Sequence, residues 1–195
     1  MKKLLLFAVL LCLSSLVFAD TTTINFEQYS AYSQITNQYS GVTFTNAVQV
    51  VVPDYNYLDY PPHSGTGAIV NDDGTGFSGD LMTISFASLF VHNVNFWYAD
   101  PNADGIVVTA YDTGGNLLGT YTGMGTGAAP SASDLDFNVY STSSIGWITI
   151  DDADQTVDGV LVDDLAITAP EPGSLVLLGS GLLMAIGTLR RKSKA

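Results

Sequence analysis

Three groups of side chains in this sequence have types and spacings suited to chemistry, and all three offer oxygen ligands or aromatic rings. The first is Asp100-Pro101-Asn102-Ala103-Asp104-Gly105, where Asp100, Asn102 and Asp104 recur at every second position. Oxygens at that spacing converge on one cation, and the glycine permits the sharp bend of a calcium loop. The match covers only the first half, because Tyr111 stands where a bidentate Glu would complete the loop. Asp, Asn and Gly also build ordinary turns, so a calcium loop and an Asx-rich turn both stay open. The second group joins the two ends of the central region: Glu27 after Asn25-Phe26 on the expected first strand, and Asp163 and Asp164 within Val162-Asp163-Asp164-Leu165 on the expected last strand. Asp163 is in phase with Leu161, Leu165 and Ile167, so its carboxylate is expected to point inward. An inward carboxylate needs a partner; calcium, backbone N–H groups, water or an edge position would each serve. The third group is Asp54-Tyr55-Asn56-Tyr57-Leu58-Asp59-Tyr60-Pro61-Pro62-His63. Rings of Tyr55, Tyr57 and Tyr60 can stack on sugar C–H faces while Asp59 binds hydroxyls. The same composition fits a long loop packed on the body of the domain.

Other candidates have bland readings. Asp72-Asp73 and Asp151-Asp152-Ala153-Asp154 read as solvated loops, with added metal ligands as the alternative, and Trp97 and Trp147 read as core or sheet-face residues. His63 and His92 are the only histidines and read as structural or exposed. Nucleophilic catalysis finds no support: Gly76-Phe77-Ser78-Gly79 misses the nucleophile-elbow spacing, and no phosphate loop with its Lys is present. A pair of carboxylates for glycoside hydrolysis could be drawn from so many acids that the pairing is uninformative. The chain is therefore read as no enzyme, with a secreted glycoside hydrolase as the remote alternative.

Charge sharpens the choice of partner. The chain has 195 residues, 6 Lys+Arg against 19 Asp+Glu, and a net charge of −13. All six cations lie at the ends: Lys2, Lys3, Arg190, Arg191, Lys192 and Lys194. Residues 20–169 hold 18 of the 19 carboxylates and no Lys or Arg. Such a body repels phosphate backbones and excludes ordinary nucleic-acid binding. With 47% apolar residues it can still bury a core.

The elements that must position these groups are strands. Between Thr21 and Thr168 short alternating runs are broken by Gly, Asn and Asp: Ile24/Phe26, Val42/Phe44, Met82/Ile84/Phe86, Val94/Phe96/Tyr98, Ile106/Val108/Ala110, Leu135/Phe137/Val139, Ile148/Ile150 and Leu161/Leu165/Ile167. Asp112-Thr113-Gly114-Gly115-Asn116 is a turn signal, and Leu117–Tyr121 can return from it as a hairpin. About ten strands follow, with no sustained 3.6-residue period. The expected fold is all-β, an antiparallel β-sandwich or jelly roll. Gly123–Ser133 reads as a surface loop.

The two ends read as addresses. Residues 1–19 have a basic start, an apolar run and small residues before a cut between Ala19 and Asp20, the pattern of a secretory signal helix. Cys12 lies inside it, so the mature chain has no cysteine and no disulfide. At the other end Pro170-Glu171-Pro172 precedes an uncharged stretch, Gly173–Leu189, and then Arg190-Arg191-Lys192. Seventeen helical residues reach about 25 Å, the lower limit for a transmembrane helix, and the basic cluster favours the cytoplasmic side.

Residues 170–195 strongly resemble the PEP-CTERM sorting signal of exported bacterial proteins. The resemblance implies recognition by an exosortase after passage through the secretion machinery, with cleavage near Pro170–Gly173. It also implies delivery to the surface or matrix of exopolysaccharide-producing cells. The Asn25-Phe26-Glu27 and Val162-Asp163-Asp164-Leu165 pairing resembles calcium-stabilised carbohydrate-binding jelly rolls. That resemblance implies a structural Ca2+ with Glu27, Asp163 and Asp164 as ligands. The expected organisation is a signal peptide (1–19), a β-sandwich (20–169) and a sorting signal (170–195). The expected role is that of a non-catalytic surface or matrix module, structural or adhesive and exopolysaccharide-associated. The alternative is a lectin-like module with its pocket on the tyrosine loop. The expected location is exported, held in the membrane by the C-terminal helix before processing.

Overall fold

The computed structural model describes residues 19–51, 62–74, 80–86, 90–99, 105–126, 135–153 and 159–170, with the side chains of residues 19, 20 and 170 left aside. Ten strands and no helix occur among the described residues. They are β1 (Ala19–Ile24), β2 (Thr43–Thr45), β3 (Ala47–Val51), β4 (Gly67–Asn71), β5 (Met82–Ser85), β6 (Val91–Ala99), β7 (Ile106–Asp112), β8 (Leu117–Gly123), β9 (Leu135–Asp152) and β10 (Leu161–Pro170). The expected all-β class holds. The expected signal and transmembrane helices lie outside the described residues.

β9 organises the architecture. Its first half pairs with β6, from Tyr98↔Leu135 to Asn93↔Tyr140. Its second half runs between β5 (Thr83↔Thr149) and β7 (Thr109↔Thr149). A single 18-residue strand thus serves two leaves. The polar stretch Ser141–Ser144 lies between the two halves, where the β6 register shifts between Val91 and Asn93. One leaf reads β2-β5-β9-β7-β8; the other reads β9-β6-β10-β4-β3, with β1 on β10. All of the strand pairs with a determined register are antiparallel.

The alternation in the sequence becomes the core. Phe44, Ile84, Ile148 and Ala110 from the first leaf join Ile69, Val94, Phe96, Val139 and Val162 from the second in one cluster. Two leaves sharing one core is the arrangement of a β-sandwich. Each fully buried Ile or Phe in it contributes about 1.5–3 kcal/mol, which lets the domain stand without disulfides. A second cluster, Val48, Val50, Ala68, Val70, Ala99 and Leu161, lies on the opposite side of the second leaf. Leu161 faces Ala99 and Val70 there, whereas Val162 faces Tyr98 and Ile69 in the main core.

Three expectations are corrected. β1 ends at Ile24, so Glu27 is not on the first strand; it occupies a turn entered through Phe26 at φ 52°. Asp163 does not share the face of Leu165 and Ile167. The register of β10 against β6 shifts between Asp163 and Ala166, and Asp164 adopts φ 45°. That bulge reverses the phase, so Leu161 and Asp163 face away from the core that Leu165 and Ile167 fill. Asp72 and Asp152 are buried, at 5% and 1% exposure, and are not solvated loop residues.

Candidate functional site

The bulge and the turn at Phe26 serve the same place. The segment from His63 to Gly67, leading into β4, lies against Glu27 from the N-terminal side and Asp163 and Asp164 from the C-terminal side. Glu27 accepts hydrogen bonds from Gly67 N at 2.8 Å, from Thr66 N at 3.0 and 3.2 Å, and from Thr66 Oγ1 at 3.2 Å. Ser64 N donates to Asp163 Oδ2 at 2.8 Å, and Asp164 N to Asp163 Oδ1 at 2.6 Å. Ser64 Oγ donates to Asp164 Oδ1 at 2.9 Å, and His63 Nδ1 lies 2.8 Å from Asp164 Oδ2. The His63 ring in turn stacks on Trp97, with centroids 3.7 Å apart and planes 4° apart.

Local sequence explains the loop. Gly65 has φ +56°, and a Cβ there would run into the Glu27 carboxylate. A Cβ on Gly67 would meet the Phe26 carbonyl oxygen. Only glycine lets the backbone approach the acids closely enough to donate. Gln49, buried on β3, ties the same turn from its other side by donating Nε2 to the Phe26 carbonyl at 2.7 Å.

Electrostatics follow from this crowding. Burial pushes the Asp163 carboxyl up to about 6; the charges of Asp164 and Glu27 add to the rise, while the N–H groups of Ser64 and Asp164 oppose it. Asp163 is 3% exposed. A void of about 10 Å³ lies beside it, walled in part by Pro62, His63, Trp97 and Leu161, which is about the room one water needs.

The sequence pairing of Glu27 with Asp163 and Asp164 is thus realised as a cluster, and its fit to calcium can be tested on the oxygens. All six carboxylate oxygens already meet a donor from the loop, the Asp164 backbone or His63. Among the described residues no three His, Cys, Asp or Glu side chains are placed to hold one metal ion. The arrangement fits a clasp that fastens both ends of the domain to one loop. Sequence reasoning missed the donors Ser64 and Thr66. Their signal was the Gly65/Gly67 alternation beside Pro61-Pro62, which marks a tight backbone rather than a solvated linker.

Most of the remaining sequence candidates fall outside the described residues. Asp100, Asn102 and Asp104, and Tyr55, Tyr57, Asp59 and Tyr60, lie outside the described residues. So do Glu171, Pro172, Arg190, Arg191 and Lys192. Ala19 and Asp20 form the start of β1, and Pro170 ends β10. Trp147 lies outward on β9, stacked on Tyr111 at 5.2 Å and 17°. A separate cleft of about 240 Å³, lined in part by Gln34, Thr36, Asn46 and Asp72, opens where β2 and β3 part.

No protein-family model matches the chain. No curated protein matches it either. Solved structures do match. The K2 cleaved adhesin domain of Lys-gingipain aligns with a TM-score of 0.55 at 13% identity, covering 76% of this chain and 99% of that one. The K1 cleaved adhesin domain of Lys-gingipain from Porphyromonas gingivalis W83 aligns at 0.52 and 13%, covering 77% and 98%. A DUF4465 family protein from Bacteroides caccae aligns at 0.55 and 11%, covering 77% and 99%. At these identities the likeness establishes a shared fold.

Proposed function

We propose that this chain is a non-catalytic, exported surface or matrix module of adhesive or structural character, associated with exopolysaccharide and sorted by an exosortase. The observation that carries the reading is the disposition of charge over this fold. The sandwich holds no Lys or Arg, and every cation sits in a terminal segment that export and sorting would remove. The acids that cluster, Glu27, Asp163 and Asp164, accept hydrogen bonds from the loop and from the Asp164 backbone, which supports a structural role for them. Adhesin domains with the same sandwich support the reading by analogy. The Pro-Glu-Pro, apolar and basic order of residues 170–195 supports the sorting step.

Mass spectrometry of the mature protein recovered from the exterior of its host tests this. The expected chain begins at Asp20 and ends between Pro170 and Gly173. Recovery of the intact 195-residue chain from the cytoplasm would overturn it.

A further inference from the structure

The outer side of the β2-β5-β9-β7-β8 leaf carries a pattern that the clasp does not explain. Register places Thr45 opposite Thr83, Thr83 opposite Thr149, Thr149 opposite Thr109, and Thr109 opposite Thr120. Five threonines therefore form one straight row across five strands. With strands about 4.8 Å apart the row extends about 19 Å. The neighbouring row on the same side is Thr43, Ser85, Trp147, Tyr111 and Leu117. A third, shorter row is Asp151, Val107 and Thr122. The alternate residues Phe44, Ile84, Ile148 and Ala110 fill the core, so these rows face outward.

Three properties of the surface select its occupant. Among the described residues, none of the five hydroxyls of the threonine row is engaged by another protein group, so each is open to a hydroxyl partner. The aromatic pair Trp147–Tyr111 lies in the adjacent row, half-buried, and offers an apolar strip parallel to the hydroxyls. Asp151 is the only charged residue in the three rows, on a body with 18 carboxylates between residues 20 and 169. A face with a single charge on an acidic body complements an uncharged partner; a basic one would be drawn to the acids elsewhere. A row of hydroxyls beside flat aromatic carbon matches a flat polysaccharide chain, whose rings carry C–H faces and edge hydroxyls.

We propose that this face is the contact surface for an uncharged, flat polysaccharide, lying along the threonine row and over Trp147 and Tyr111. The inference rests on the polysaccharide-associated reading above and adds where the polymer lies.

The test is retention of the full chain on cellulose, chitin and neutral exopolysaccharide purified from the host, with alginate as an anionic contrast. The wild type is expected on at least one neutral polymer and not on alginate. Thr109→Val with Thr149→Val removes two hydroxyls while keeping strand formers on the sheet, and should weaken retention by about tenfold at an unchanged Tm. Trp147→Ala should abolish it. Thr168→Val on the other leaf should bind as the wild type does. Unchanged binding by the Thr pair and Trp147 variants overturns the inference and leaves the polysaccharide reading standing. Failure of the wild type to bind any neutral polymer overturns both. Self-association abolished by the same substitutions, with no polymer retained, assigns the face to a second copy and overturns the inference.

Discussion

The two leaves of this sandwich treat their outer surfaces in opposite ways, and their tryptophans show it. Trp97, on the leaf of β6 and β10, is covered by the His63 ring at 3.7 Å and sits opposite the buried Asp163. Trp147, on the other leaf, pairs with Tyr111 in the middle of a row that carries no charge. One leaf pairs its polar side chains with one another; the other leaves its threonine hydroxyls unpaired by described residues. Residues 20–169 carry no Lys or Arg, so the burial of Asp163 rests on nearby backbone donors. That requirement places the Glu27, Asp163 and Asp164 cluster at the glycine-containing loop, whereas the threonine row and the Trp147 row of the opposite leaf carry no charge. The comparison gives Glu27, Asp163 and Asp164 a structural part and, on the proposal above, gives the threonine row the contact part.

The clasp should be the more fragile side. Gly65→Ala forces a side chain into a left-handed residue and into the Glu27 carboxylate. The backbone strain alone costs roughly 1–3 kcal/mol, lowering Tm by about 2–4 °C for each kcal/mol in a domain of this size. Thermal melts check it. Polysaccharide binding by the folded fraction should be unchanged, because the threonine row is untouched.

Next in size is a pH effect with a defined sign. The folded Asp163 carboxyl is raised to about 6 from an ordinary value of 3.8. Between those values the native state binds the extra proton, so stability from this group falls as pH rises from 4 to 7. The full two-unit shift corresponds to about 3 kcal/mol as an upper bound. Asp163→Asn should flatten that part of the profile, bringing its Tm closest to or above the wild type at pH 7–8. Melts at half-unit pH steps would show it, and identical pH slopes would contradict it.

The fold was largely legible, and the reasons are local. Alternation at Met82/Ile84, Val94/Phe96 and Ile106/Val108 is a period-2 signal that a buried strand face imposes. The Asp112–Asn116 turn was readable because its chemistry is self-contained. Asp112 accepts from Gly114 N, Asn116 N and Asn116 Nδ2, bonds led by the Asn116 side chain that hold its carboxyl below its ordinary value. The candidate site was half legible. The pairing of Glu27 with Asp163 and Asp164 is present, but its phase was misread because a bulge at Asp164 leaves no mark in the hydrophobic pattern. The threonine row was invisible for another reason: its members come from five separate strands, and only register aligns them.

The smallest expected effect concerns His63. Its bond to Asp164 is partly exposed, and such pairs are worth about 0.2–1 kcal/mol. His63→Ala should lower Tm by only a few degrees while shifting the emission of Trp97, whose covering ring is gone. An unshifted spectrum would separate the two rings and weaken the contrast between the leaves.

The division of labour itself is tested most directly by fluorescence of the two single-tryptophan chains titrated with hydroxyethyl cellulose. The Trp97→Phe chain, which keeps Trp147, should change its emission saturably. The Trp147→Phe chain, which keeps Trp97, should not. A response from Trp97 alone, or equal responses from both, would contradict the account.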